Sequence, residues 1–410
     1  MLEGDEFYRI KRLPPYVFEE VNSLKAQLRG QERDVIDFGM GNPDMPTPPH
    51  IIEKLIETAQ KPKTNRYSAS RGIPGLRRSI SRYYQKRFSV ELDPDTEVIA
   101  TLGSKEGFAN LAQAMTGPGD VVLAPDPAYP IHAYGFIIAG GVIRAVPAPD
   151  PETYLAGLAR AIQHLTPKPT AMVINYPSNP TAQTVGLDFY REAVALAAKH
   201  GLWILSDLAY SEIYFDDPPP SILQVDGAKD LAVEVNSLSK TYSMAGFRVG
   251  MAVGNPRLIG ALARVKSYLD YGAYTPVQVA ASAALDGPQD CVEEIRQIYR
   301  RRRDVLVESF TAAGWEVPLP PASMFAWAPI PEPYLSLGSV EFAKKLMREA
   351  DVAVAPGVGF GEHGEGFVRI GLVENEQRIR QAARNIKRLL AGAMVEAAPE
   401  DNNSALNETA

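Results

Sequence analysis

Between residues 97 and 253 the chain alternates short apolar runs with amphipathic stretches, and no other feature restricts its fold as strongly. The runs EVIAT (97–101), DVVLAP (120–125), GVIRAV (141–146), AMVINY (171–176), WILSDL (203–208), AVEVNSL (232–238) and VGMAV (249–253) read as strands. SKEGFANLAQAM (104–115) and LDFYREAVALAAKHG (187–201) read as helices lying between them. Near-continuous apolar strands joined by helices imply a mostly parallel sheet covered on both faces. After about residue 280 the character changes. A long charged helix, CVEEIRQIYRRRRDVLVESFTAAG (291–314), leads to short strands near 323–329 and 366–372 and a closing helix at 375–392. This is the pattern of a smaller α+β domain. DVIDFGMGNPD (34–44) is too isolated to start the main sheet and is expected beside that domain. The expected division is an N-terminal arm with part of the small domain (1–45), a large domain (46–280), a small C-terminal domain (281–395) and a polar, acidic, disordered tail (396–410).

With 410 residues, 45% of them hydrophobic, the chain can bury a large core. Its net charge of −7 and the lack of a strongly basic stretch argue against a nucleic-acid or anionic-membrane partner. The single cysteine, Cys291, rules out an intrachain disulfide and fits a reducing compartment. The opening MLEGDEFYRIKRLPP lacks the apolar core of a signal peptide. The longest uncharged apolar stretch, AYPIHAYGFIIAGGVI (128–143), is broken by Pro130, His132 and glycines, short of the roughly 20 residues a membrane helix needs. A cytoplasmic protein without a metal site is expected. The four arginines at 300–303 point in several directions on one helix and read as a solvated face.

Four stretches carry chemistry. LGSKEG (102–107) sits where a strand meets a helix; its small residues open backbone N–H groups to an anion, or Ser104 simply caps the helix. In NYPSNPTAQ (175–183), Asn179 either forms a turn or presents its amide at the C-terminal edge of a parallel sheet, where ligands bind. ILSDLAYSEIYF (204–215) places Asp207 at the end of an apolar strand with Tyr210 three residues on; the carboxylate either caps a helix or meets a cationic ligand group. SLSKTYSMAGFRVG (237–250) sets Lys240 among Ser237 and Ser239, with Arg248 eight residues later. Taken together, Lys240 can form a Schiff base with an aldehyde, Arg248, Ser237 and the GSK turn can grip a phosphate, and Asp207 can hold a pyridine nitrogen protonated. Pyridoxal 5′-phosphate combines those three groups.

From about residue 9 to 393 the chain resembles the fold-type I, class I/II aminotransferases. The motifs GNPD, RYSASRGIPGLR, GSKEG, DPAYP, YPSNPT, SDLAYSEI, SLSKTYSMAGFRVG and FVRIGL occur in the family's order. The resemblance implies a large pyridoxal-phosphate-binding domain with a mostly parallel seven-stranded sheet, plus the smaller α+β domain. It implies that Lys240 is the Schiff-base lysine and proton carrier. Asp207 would pair with the pyridine nitrogen, Asn179 and Tyr210 with the ring's 3′-oxygen, and Tyr129 would stack on the ring. Ser104, Lys105 through its N–H, Ser237, Ser239 and Arg248 would bind the phosphate. Tyr67 would reach the neighbouring subunit's site in a homodimer with shared active sites. Arg369, with Gly41 and Asn179 beside it, would take the substrate α-carboxylate, and Tyr16 would line the pocket. RLPPYVF (12–18), TPPHI (47–51), KSYLDYG (266–272) and GSVEFAKKL (338–346) resemble bacterial glutamate–pyruvate aminotransferases, which implies alanine and 2-oxoglutarate as substrates. Methionine, aspartate and LL-diaminopimelate aminotransferases and C–S lyases on the same scaffold keep the cofactor residues, so these remain open.

Overall fold

The computed structural model describes residues 7, 10–14 and 17–396. The tail expected to be disordered lies, from residue 397 on, outside the described residues. The strands are β1 (Ile36–Asp37), β2 (Val98–Thr101), β3 (Val121–Asp126), β4 (Val142–Pro147), β5 (Pro169–Asn175), β6 (Trp203–Asp207), β7 (Ala232–Ser237), β8 (Gly250–Gly254), β9 (Phe325–Pro329), β10 (Val352–Ala353), β11 (Ala355–Pro356) and β12 (Phe367–Gly371). Seven of them form one sheet in the order β2-β8-β7-β6-β5-β3-β4. Only β8 runs against its neighbours. The seven apolar runs of the sequence are these seven strands, each displaced by no more than a residue or two.

Strand alternation explains the layers. Met172, Ile174 and Ile204 point into a core shared with the helices Pro74–Phe88, Pro151–His164, Leu187–His200 and Thr275–Asp286. Their neighbours Ala171, Val173 and Leu205 meet the helices Ser104–Met115, Ile131–Ala139 and Pro256–Leu269 on the other face. The crossover helices start where the sequence marks them. Asp150 accepts the Thr153 N–H at 2.8 Å ahead of Pro151, and Asn255 accepts those of Arg257 and Leu258 ahead of Pro256. Among the described residues, no helix is long and apolar enough to cross a membrane.

A three-stranded antiparallel sheet, β11-β12-β9, packs with the helices Asp290–Ala312, Gly338–Ala350 and Glu376–Glu396 in a separate core around Phe310, Trp315, Phe342 and Ile386. β1 pairs in parallel with β10, so the 34–44 segment joins this part of the molecule, as its isolation in the sequence implies.

The solvated reading of the arginines at 300–303 is corrected. Arg301 is exposed, but Arg302 and Arg303 are each only 6% exposed. Arg302 makes a bidentate pair with Asp44, 2.7 Å to each oxygen, and donates to the Leu372 carbonyl. Arg303 reaches the Pro320 carbonyl, and Arg300 the Phe215 carbonyl. Buried guanidinium groups need such partners; they come from segments far away in the chain, and the local run does not reveal them.

Candidate active site

The carboxyl ends of β5 and β6 lie side by side, with Asn175 in register with Asp207 and Asp207 in register with Val235, two residues before Ser237. At this edge a cavity of about 630 Å³ opens, and its wall is completed by β11, by Phe325 of β9 and by Arg369 of β12. The carboxyl edge of a parallel sheet is where loops and helix N-termini bring polar groups to a ligand.

Lys240 follows Ser237 at the end of β7. Its Nζ donates to the Gly41 carbonyl at 2.6 Å. Burial holds its ammonium down to about 8, and the charges of Arg369 and Arg248 push the same way. Asp207 is 7% exposed. Its Oδ1 accepts the Ala209 N–H at 3.0 Å, and its Oδ2 lies 2.9 Å from His132 Nε2. The Asn175 amide donates to the Asp207 carbonyl, and its oxygen accepts the Asn179 N–H. Asn179 spans the site: its Nδ2 is 3.5 Å from the Tyr210 hydroxyl, while its Oδ1 accepts from Arg369 Nη1 at 2.7 Å. Burial pushes the Tyr210 phenol well up, so it stays a hydrogen-bonding hydroxyl. Arg369 also donates to the Gly39 carbonyl, and its guanidinium lies 4.0 Å from the Phe325 ring centre and 4.6 Å from that of Phe360.

The turn before the helix Ser104–Met115 is cramped. The helix is preceded by Gly103 at φ +85°, with no capping side chain, so Ser104 is its first residue and not its cap. A Cβ on Gly103 would lie 2.4 Å from Arg248 Nη2, and one on Gly250 would lie 2.6 Å from the Ser104 nitrogen. Glycine at both positions lets Arg248, Ser104 and Lys105 share one wall. Arg248 is braced by the Ala245 and Leu102 carbonyls. Ser237 Oγ accepts the Ser239 N–H. Lys105 Nζ lies 5.6 Å from the Tyr129 ring centre.

Thus Ser104, Lys105, Tyr129, Asn179, Asp207, Tyr210, Ser237, Ser239, Lys240, Arg248, Gly41 and Arg369 all line one cavity. Tyr67 does not: it is 87% exposed, its ring 4.7 Å from that of Tyr271. Tyr16 lies outside the described residues. Four contributors escaped the sequence reading. Asn175 ends an apolar strand beside Asp207, a position that signals it. His132 has only its place three residues after Tyr129. Phe325 and Phe360 come from distant segments and have no local signature.

A model of the family "Aminotransferase class I and II" matches residues 33–386. AatC of Rhizobium meliloti (strain 1021), provisionally designated an aminotransferase, is 63% identical over 390 residues, 95% of this chain and 96% of that protein. Glutamate-pyruvate aminotransferase AlaC of Escherichia coli (strain K12) is 56% identical over 382 residues, 93% of each chain. An LL-diaminopimelate aminotransferase of Dehalococcoides mccartyi (strain ATCC BAA-2100) is 44% identical across 91% of this chain and 96% of its own. Among solved structures, substrate-bound BacF from Bacillus subtilis superposes with a TM-score of 0.87 at 33% identity, covering 94% of this chain and 98% of that one.

Proposed function

Because this chain belongs to the class I and II aminotransferases, we propose that it moves an amino group between L-alanine and 2-oxoglutarate, giving pyruvate and L-glutamate, with pyridoxal 5′-phosphate as cofactor. The observation that carries the reading is the gathering of Lys240, Asp207, Arg248 and Arg369 on one cavity. The 56% identity to a glutamate–pyruvate aminotransferase supports the substrate pair.

The donor set fits that cofactor. Lys240 would hold its aldehyde, Asp207 its ring nitrogen, and Asn179 and Tyr210 the ring oxygen. Tyr129 would cover the ring. The crowded turn of Gly103, Ser104, Lys105 and Arg248, with Ser237 and Ser239, would hold the phosphate. When bound, the cofactor supplies an electron sink for the electrons left on the substrate Cα. Lys240 Nζ takes the Cα proton as a neutral amine and returns it; a site that holds the ammonium down to about 8 favours that form. Arg369 receives the α-carboxylate as a bidentate pair and thereby aims Cα at Nζ.

On this reading the division expected at residue 280 moves to the end of the helix Thr275–Asp286, which packs whole in the main core; the residues from 46 to there form the cofactor-binding domain and those up to 395 the smaller one, and two protomers share their sites through Tyr67. Exposure of Tyr67, Tyr268, Leu269, Tyr271 and Tyr274 supports an aromatic surface covered by a second copy. The 44% identity to an LL-diaminopimelate aminotransferase favours one second reading, a longer diamino substrate.

Purified protein assayed with a panel of amino donors against pyruvate and 2-oxoglutarate separates them. The highest kcat/KM is expected for alanine with 2-oxoglutarate; an optimum on LL-diaminopimelate, or ammonia release, overturns the proposal. Lys240→Ala abolishes turnover and the visible absorbance of lysine-bound cofactor, and retained turnover overturns the assignment of Lys240.

A further inference from the structure

The cavity wall holds two cationic side chains, Lys25 and Lys105, whose ammonium groups the proposed reaction leaves without a task. Among the described lining residues the cations are Lys25, Lys105, Lys240, Arg248 and Arg369, and the anions are Asp37 and Asp207. Arg248 is assigned to the phosphate, Arg369 to the α-carboxylate and Lys240 to the aldehyde, while Lys105 lies over Tyr129. Lys25 remains. It is carried by the helix Val17–Gly30, which closes over the cavity by seating Phe18 edge-on against Phe360, ring centres 5.3 Å apart; Phe360 in turn flanks Arg369.

Lys25 Nζ lies 2.7 Å from Asp37 Oδ2, both side chains largely buried. The same oxygen is 3.5 Å from Arg29, which does not line the cavity. Asp37 Oδ1 accepts the Gly39 N–H at 3.0 Å, and the Gly39 carbonyl accepts from Arg369 at 3.3 Å. The Asp37 N–H donates to Glu374. One short segment, 37–39, therefore connects the α-carboxylate arginine to the Lys25 ammonium along the cavity wall.

Resting on the reading above, we propose that Lys25 recognises the distal carboxylate of five-carbon dicarboxylates, 2-oxoglutarate and glutamate. An enzyme that exchanges alanine with glutamate must accept a methyl group and a carboxylate in one place. A permanently unpaired buried cation would suit the second and penalise the first. The Lys25–Asp37 pair reconciles them. With a three-carbon substrate the pair stays closed and the wall is neutral. With a five-carbon substrate the flexible lysine stem turns to the ligand, and Asp37 keeps Arg29 and the Gly39 N–H.

The test is calorimetric titration of the holoenzyme with glutarate and with propionate, which carry two carboxylates and one. Lys25→Met weakens glutarate binding by about tenfold or more, the scale of a lost charge-assisted hydrogen bond, and leaves propionate binding unchanged. The KM for 2-oxoglutarate rises with it while the KM for pyruvate holds. Lys25→Arg retains most glutarate binding. In Lys25→Met/Asp37→Asn no unpaired carboxylate remains, so a merely structural pair would regain glutarate affinity; the proposal expects no recovery. Equal losses for glutarate and propionate, an unchanged glutarate affinity, or recovery in the double variant overturns it. A donor panel peaking elsewhere sinks the alanine reading, whereas wild-type turnover of alanine with 2-oxoglutarate alongside an indifferent Lys25→Met sinks this inference alone.

Discussion

Two buried carboxylates occupy adjoining strands of the main sheet and are used in opposite ways. Asp207 ends β6, and Glu234 lies in the middle of β7, in register with Ser206. Glu234 is fully buried and faces the same core as Ala232 and Ile204. Its Oε1 accepts from Ser221 Oγ at 2.7 Å and the Tyr84 hydroxyl at 3.0 Å; its Oε2 accepts from Ser206 Oγ and the Ile222 N–H, each at 3.2 Å. Every donor comes from the chain itself. Burial pushes this carboxyl up to about 7, although the four donors pull it back. Asp207 instead borders the cavity, steadied from behind by His132 and Ala209. A buried acid enclosed by its own fold ties segments together. One left at a cavity edge is available to a ligand.

The sharpest way to break this contrast is to delete each group. Asp207→Ala lowers kcat by about 10³-fold or more, the scale expected for a preorganised charge at the reacting group. Thermal unfolding is lowered less than in Glu234→Ala, because two buried partners, His132 and the Ala209 N–H, are stranded and not four. Steady-state kinetics with a melting curve checks both; a folding defect with normal kcat in the folded fraction would erase the distinction. Glu234→Ala does the reverse. It strands four donors in an apolar core and costs about 3–5 kcal/mol, seen as a lowered urea midpoint. The protein that remains folded keeps its kcat, and a selective loss of kcat would place Glu234 in the catalytic machinery after all.

The same pair shows what a sequence can reveal. Asp207 is legible as a candidate because the strand ILSD runs straight into it, which puts its carboxylate at the sheet edge where the cavity opens. Lys240 and Arg248 are legible through their fixed spacing on one tight loop. Glu234 lies in the recognisable strand AVEVNSL, but the partners that make its burial tolerable come from Tyr84 and Ser221, on other elements. Arg302 and Lys25 fail the same way, since Asp44 and Asp37 sit on segments that only the folded chain brings near. Period and turn chemistry report local structure, so strands and helix starts are read to within a residue or two. Pairings made by tertiary packing leave no periodic trace.

The smallest effect concerns protons, and its sign separates enclosed from open. Glu234 titrates near 4.5 when unfolded and at about 7 in the folded chain. Between those values the folded chain holds the extra proton, so stability from this group is fully present below about 4.5 and fades as pH rises through 7. The shift corresponds to at most about 3 kcal/mol. Glu234→Gln cannot ionise, so it lacks this loss. Subtracting its stability curve from that of the wild type cancels distant titrating groups and isolates this one. The difference curve is expected to be flat below about pH 4.5 and to move in favour of the glutamine variant up to about pH 8. Parallel curves across that window would mean that the four donors hold the carboxylate ionised. Glu234 would then be a stable buried anion, and enclosure within the fold would suffice to keep a charge in the core.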